Sequence, residues 1–299
     1  PEIAKQAKQV LLFQRSAPYV IPKPDRPYSA TEQRLMARFP LLQKLDRARV
    51  YAQNEARVLG FTSLQGAMRF HEYLFKKHLR ECVPDPDTRA KLTPDYPMGC
   101  KRILISNDYY QALTKYRIPV ITGGVRAITA DGVEDIDGEH HQADVIIYGT
   151  GFQATDFLAP MTITGRRGQD LNQAWRDGAE AYLGITVHGF PNLFMLYGPN
   201  TNLGHNSIIY MIESQIAYVV SALETLERDG HRFVDVRPGV QDDFNRRLQA
   251  RMRDTVWDQG CESWYKTASG KNTNNWPGFT FSYRQRTRHL DPEDYELHP

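Results

Sequence analysis

The sequence predicts an α/β fold, a parallel sheet with helices and a helical insert, and three observations carry that prediction. At the amino end, helical residues lead straight into an apolar strand, Val10 to Phe13, the order in which an α/β unit continues. Midway, ADVIIYGTGF sets a wholly apolar run before a small-residue turn at Gly149, Thr150 and Gly151, where backbone can approach a ligand closely. Later, a strand over Leu193 to Tyr197, the loop GPNTNLGHN and a long helix from about Ser207 to Glu227 follow one another. That order aims backbone N–H groups and a positive helix end at the loop.

Each element can be justified in turn. After the first strand comes a basic turn, Arg15 and Ser16, then a connection over Pro18 to Pro27 whose four prolines exclude a helix interior. From Ser29 to about Arg80 apolar residues recur at helical spacing, with Ser29 and Thr31 as N-caps and Gly60 as a stop between helices. A second proline-rich loop, Cys82 to Gly99, returns the chain to a strand at Ile103 to Ile105. Next come a helix near Tyr109 to Tyr116, a strand around Val120, and strand-like runs joined by the turns Asp131-Gly132 and Asp137-Gly138. The second half adds a strand at Phe233 to Val236, a helix from about Gln241 to Val256 and an aromatic tail.

Composition narrows the function. With 299 residues the chain can build about two domains of ~100–200 residues. A net charge of +2 supplies no global field for nucleic acid or anionic lipid, so any anion is bound locally. The most apolar stretch, Ile208 to Val220, is broken by Glu213, Ser214 and Gln215, and no run approaches the ~20 residues of a membrane span. Cys82, Cys100 and Cys261 lack metal-site spacing; so few thiols in so long a chain predict reduced cysteines and a cytoplasmic setting. The start at Pro1, without Met, gives the expectation that the chain is a piece of something longer. No phosphate-loop, zinc-helix, nucleophile-elbow or G-x-G-x-x-G motif occurs, and Gly165 to Gly168 reads only as a charged turn.

FQRSAPYVIPKPDR, LTPDYPMGCKRILISNDYY, ADVIIYGTGF, GFPNLFMLYGPNTNLGHNSIIYMIESQ and CESWYKTASGKNTNNWPG, in that order, resemble the latter part of Baeyer–Villiger monooxygenases, flavoproteins that use FAD and NADPH. The branch acting on aryl ketones such as 4-hydroxyacetophenone is the most similar. The resemblance runs from Pro1 to about Arg286 and implies an incomplete two-dinucleotide-binding-domain flavoprotein fold. Residues 1–142 would be the remainder of an NADPH-binding domain with a helical insert at about 29–98, and 143–299 the returning half of an FAD-binding domain. The family's Gly-rich turns and its F-x-G-x-x-x-H-x-x-x-W fingerprint are not in this sequence. The expectation is therefore an isolated chain that is inactive, binds FAD poorly, and docks to a missing amino-terminal half or self-associates.

Carried over by position, Arg15 and Ser16, aided by Lys101, resemble the group that grips the 2′-phosphate of NADPH; a dianion calls for a guanidinium, a hydroxyl and an ammonium together. Arg102 resembles the catalytic arginine, which stabilises the peroxyflavin and the tetrahedral adduct it forms with a ketone. As one oxyanion donor it would contribute ~3–4 kcal/mol. Thr150, Gly151 and Phe152 match a strand end near FAD, where Gly149 replaces the usual Ala. Asn206 and Ser207 match flavin contacts, and Trp264 a mobile-loop tryptophan that closes over nicotinamide and substrate. Read from composition alone, Trp264 and Trp276 are core aromatics, Arg15 and Ser16 a solvated strand end, and Lys101 and Arg102 a surface pair. His188 and His205 read as structural. The implied reaction joins a small-molecule ketone, O2 and NADPH to give an ester or lactone. A flavin-containing N- or S-monooxygenase and a non-catalytic interaction fragment are the alternatives.

Overall fold

The computed structural model describes residues 1–258 and 260–298. In chain order, β1 (Leu12–Phe13) and β2 (Val20–Ile21) precede α1 (Ala30–Arg38), α2 (Pro40–Ala56), α3 (Val58–Phe61) and α4 (Gln65–Cys82). Then follow α5 (Pro86–Lys91), β3 (Leu104–Ile105), α6 (Tyr109–Lys115), β4 (Val120–Ile121), β5 (Val125–Ile128), β6 (Gly132–Asp135) and β7 (His140–Gln142). The remainder carries α7 (Leu171–Ala174), α8 (Ile208–Asp229), β8 (Phe233–Val236), α9 (Pro238–Met252), α10 (Thr280–Arg286) and β9 (Tyr295–His298). These elements fall into two units. The first holds residues 1–27, 67–98 and 102–152; the second holds 28–66, 99–101 and the chain from 153 onward.

In the first unit β1 pairs with β4 and β2 with β3, both in parallel, so the predicted α/β character is present in short ladders. Beside them β5, β6 and β7 form an antiparallel meander. Its second turn is closed by Asp135, whose Oδ1 accepts from the N–H groups of Asp137 and Glu139, with Gly138 at φ +84° between them. The core gathers Tyr19, Phe75, Tyr96 and Tyr110 in edge contacts. Tyr19 donates to the Tyr96 carbonyl and Tyr96 to that of Ala17, so both buried hydroxyls are satisfied.

In the second unit Ser29 caps α1 in a reciprocal capping box with Glu32, as its position before the helical run predicts. The main core packs α8 against the antiparallel pair β8–β9 through Tyr218, Ala222, Val234, Val236 and Tyr295. Its hydroxyls chain together, Tyr218 donating to Tyr295 and Tyr295 meeting Thr186. A smaller core surrounds Trp175, Val187, Phe190 and Met195. Among the described residues no helix is long and apolar enough to cross a membrane.

Four expectations need correction. Residues 145–148, read as a buried strand, join no strand, and Val145, Ile147 and Tyr148 are exposed; apolar content marks a strand but does not supply its neighbours. Leu193 to Tyr197 is irregular rather than a strand, held by Met195 N–H donating to Ile185 O and broken by the positive φ of Tyr197. Gly60 lies inside α3 instead of ending a helix. The Pro18 to Pro27 connection contains β2, because Val20 and Ile21 fall between prolines and keep their ladder groups.

Candidate functional site

Within the second unit, two asparagine-rich loops are zipped side by side. Asn200 N–H donates to Thr273 O at 2.7 Å, Asn202 N–H to Asn274 O at 2.9 Å, and Trp276 N–H back to Asn202 O at 2.8 Å. Side chains repeat the pairing: Asn200 Nδ2 donates to the carbonyls of Asn272 and Asn275, and Asn202 Nδ2 to Asn275 Oδ1. Asn200 sits at φ +57°, a conformation Asn tolerates better than most residues. Gly198 is required where it stands, since a Cβ there would collide with Gly184 O. These paired amides hold the two loops together, while Asn200 Oδ1, Asn272 Nδ2 and Asn275 Nδ2 stay buried without a partner.

Against this zipper lies a cavity of about 310 Å³. Asn202, Asn274 and Gln153 give it amides, Tyr197, Trp264 and Phe157 give it rings, and Ala154, Asp156 and Gly198 complete the lining. Tyr197 donates its hydroxyl to Asn202 Oδ1, and Asn274 Nδ2 is held by Tyr265 O. With one carboxylate and no cation in the lining, the cavity suits an uncharged, ring-sized molecule with hydrogen-bonding substituents.

The start of α8 is anchored separately. Buried Glu55, on α2, accepts from Asn206 Nδ2 at 2.7 Å, Thr280 Oγ1 at 2.8 Å and Phe281 N–H at 3.0 Å. Asn206 Oδ1 accepts from Ser207 N–H, so both ends of that amide are engaged within the protein. Ser207 is the N-cap position, but its side chain makes no capping bond and is exposed. His205 is buried, with its pKa lowered to about 4 by burial against a smaller opposing pull from Glu55.

The sequence-predicted residues divide between the units. In the first, Arg15 and Ser16 lie exposed just after β1, Arg102 is exposed just before β3, and Thr150, Gly151 and Phe152 are exposed beyond β7. In the second, Lys101 is half-buried, Asn206 and Ser207 open α8, and Trp264 lines the cavity at 44% exposure while Trp276 is core. The two tryptophans therefore part company, one at the site and one in the packing. Tyr197, Asn274, Gln153 and Asp156 were not singled out. The signal was present in the matched strings NTN, at 200–202, and NTNN, at 272–275.

Two further points correct the sequence reading. Cys100 and Cys261 form a disulfide across 161 residues, leaving Cys82 free, so the thiol count no longer argues for a reducing compartment. Gly165 to Gly168 is more than a charged turn: Arg166 pairs with buried Asp235 at 3.2 Å and with Glu296 at 3.1 Å.

No family model matches the chain. A Baeyer–Villiger monooxygenase of Pseudomonas aeruginosa is 48% identical over 299 residues, 99% of this chain and 57% of the relative. Along its whole length the chain is similar to Baeyer–Villiger monooxygenases. One from Streptomyces coelicolor is 40% identical over 99% of this chain and 58% of its own length. The chain thus spans less than two thirds of these Baeyer–Villiger relatives. Solved structures agree on the fold. A steroid monooxygenase bound to NADP has a TM-score of 0.84 at 24% identity, covering 100% of this chain and 64% of that one. Cyclohexanone monooxygenase from Rhodococcus sp. Phi1, bound to NADP+, gives 0.83 at 22%, covering 99% and 64%.

Proposed function

We propose that the chain is part of an FAD- and NADPH-dependent monooxygenase that inserts one oxygen atom beside a ketone carbonyl: ketone + NADPH + H+ + O2 gives ester or lactone + NADP+ + H2O. The observation that carries this reading is the whole-length likeness to two Baeyer–Villiger monooxygenases. The proposed division is residues 1–142, with the insert at 29–98, as the remainder of the NADPH-binding domain, and 143–299 as half of the FAD-binding domain. When bound, reduced flavin activates O2 and NADPH supplies the hydride.

The residues present fit these groups chemically. Arg15 and Ser16 stand exposed at a strand end, and a guanidinium beside a hydroxyl suits a phosphate dianion. At α8, the exposed hydroxyl of Ser207 opens a 22-residue helix, and Asn206 positions it through Oδ1. Thr150 to Phe152 lie accessible beyond β7 and would contact the flavin. Arg102 would hold a permanent positive charge against the ketone oxygen as the carbonyl is attacked. The amide and ring lining around Trp264 supports the choice of an uncharged carbonyl substrate.

Arg102 provides the test. In a protein that combines this chain with the further length its relatives have, Arg102→Ala should leave flavin reduction by NADPH near its normal rate and lower ester formation by about 10²–10³-fold. Ester produced at the unaltered rate would overturn the role.

A further inference from the structure

The Cys100–Cys261 disulfide ties down the loop that carries Trp264, and nothing in the proposed chemistry uses it. Two fixed aromatics flank the stretch of residues 260–264. Trp257, on its amino side, is buried and stacks on Phe61 at 5.3 Å between centroids; Tyr265, on its far side, is buried and accepts from Asn274 Nδ2 through its carbonyl. Beyond Tyr265, Lys266 Nζ reaches back to Asp258 Oδ1 at 2.7 Å. Between these anchors, Glu262 and Trp264 are exposed, Ser263 accepts from Tyr265 N–H at its hydroxyl and from Lys266 N–H at its carbonyl, and the Trp264 ring rests on Tyr265 at 4.1 Å between centroids, so among the described residues every noncovalent hold lies on the far side. The bond from half-buried Cys261 to fully buried Cys100 is therefore the covalent hold on the stretch just before Trp264. Their Cα atoms lie 6.3 Å apart, within the span a disulfide bridges.

We propose that Cys100–Cys261 is a redox-sensitive tether: oxidised, it holds Trp264 against the cavity; reduced, it releases the loop. The step is thiol–disulfide exchange. The two thiols lose two electrons and two protons, one S–S bond forms, and a low-molecular-weight disulfide such as oxidised glutathione accepts both and leaves as two thiols. Cys82 is a poor competitor for that exchange, since it is half-buried on α4 and burial pushes its thiol pKa up. The proposal rests on the cavity and the loop, not on the reaction assigned to them, so its failure and that of the monooxygenase reading are separable.

The test uses the full 299-residue chain. After equilibration with oxidised glutathione, thiol titration under denaturing conditions should find one thiol, Cys82; after dithiothreitol it should find all three. Tryptophan fluorescence reports the loop, because Trp175, Trp257 and Trp276 are buried and Trp264 is not. Acrylamide quenching of the Trp264 component, isolated by difference from Trp264→Phe, should rise by roughly twofold on reduction, as the stretch just before Trp264 loses its covalent hold. Cys261→Ser should show the higher quenching in either buffer, and Cys82→Ser should still respond to reduction. Three titratable thiols after oxidation would overturn the proposal, and so would a disulfide whose reduction leaves Trp264 quenching unchanged.

Discussion

His205 has no hydrogen-bond partner for either ring nitrogen and its side chain is fully enclosed. Burial favours the neutral ring and lowers its pKa from 6.5 to about 4. In the unfolded chain the ring takes up a proton near its ordinary value, so between about pH 6.5 and 4 the unfolded state binds more protons and stability rises with pH. Loss of this advantage is complete only below about pH 4, and the full change is on the order of 3 kcal/mol. Urea melts at a series of pH values should show that fall, and His205→Gln should flatten it. Glu55 is the complementary case, because its carboxylate answers three donors, one from Asn206 just before α8 and two from α10. Glu55→Ala should cost roughly 2–4 kcal/mol by leaving those donors buried and unpaired, with Glu55→Gln recovering part of it. Equal melting midpoints for Glu55→Ala and the parent chain would refute that assignment.

At the scale of elements, the zipper between residues 197–203 and 265–276 decides whether the cavity keeps its shape. Asn200 contributes both a left-handed backbone and two donated bonds. Asn200→Ala removes the bonds and strains the backbone, and should cost about 2 kcal/mol; Asn200→Gly removes only the bonds and should cost less. Denaturation midpoints in the order parent, Gly, Ala test the point; Ala equal to Gly would remove the backbone contribution. This part of the molecule also shows what a sequence can express. The helices were legible because Ser29 and Glu32 cap locally and α8 carries its own apolar stripe. The meander was legible from Asp131-Gly132 and Asp137-Gly138. The loop pairing was not, since Asn200 meets Asn272 and Asn275 across more than seventy residues, a distance no periodicity spans. For the same reason Arg166 looked like surface charge until Asp235 and Glu296 stood beside it. Resemblance singled out Trp264, whereas Tyr197 and Asn274 meet it at the cavity only through the fold.

For the whole molecule, the disulfide constrains the unfolded chain across 161 residues. Chain-entropy reasoning gives a stabilisation of roughly 2–5 kcal/mol for so long a closure. Dithiothreitol should lower the denaturation midpoint of the parent chain accordingly and leave a Cys100→Ser/Cys261→Ser variant unmoved. The exposed run ending at Phe152 acts in the opposite direction. Phe152 is 98% exposed, and Val145, Ile147 and Tyr148 stand out beside it without a strand partner. A contiguous apolar segment with unpaired ladder groups is a template for association. Sedimentation velocity of the full chain should therefore show association that grows with concentration. Ile147→Lys combined with Phe152→Ser should suppress it, because a charge at the ladder and the loss of the most exposed ring remove both the edge and its apolar cover. Helix content should not change, since neither side chain packs within a core. A parent chain that sediments as a single monomeric species at every concentration would show that residues 145–152 are no adhesive edge, and that their apolar character has some other cause.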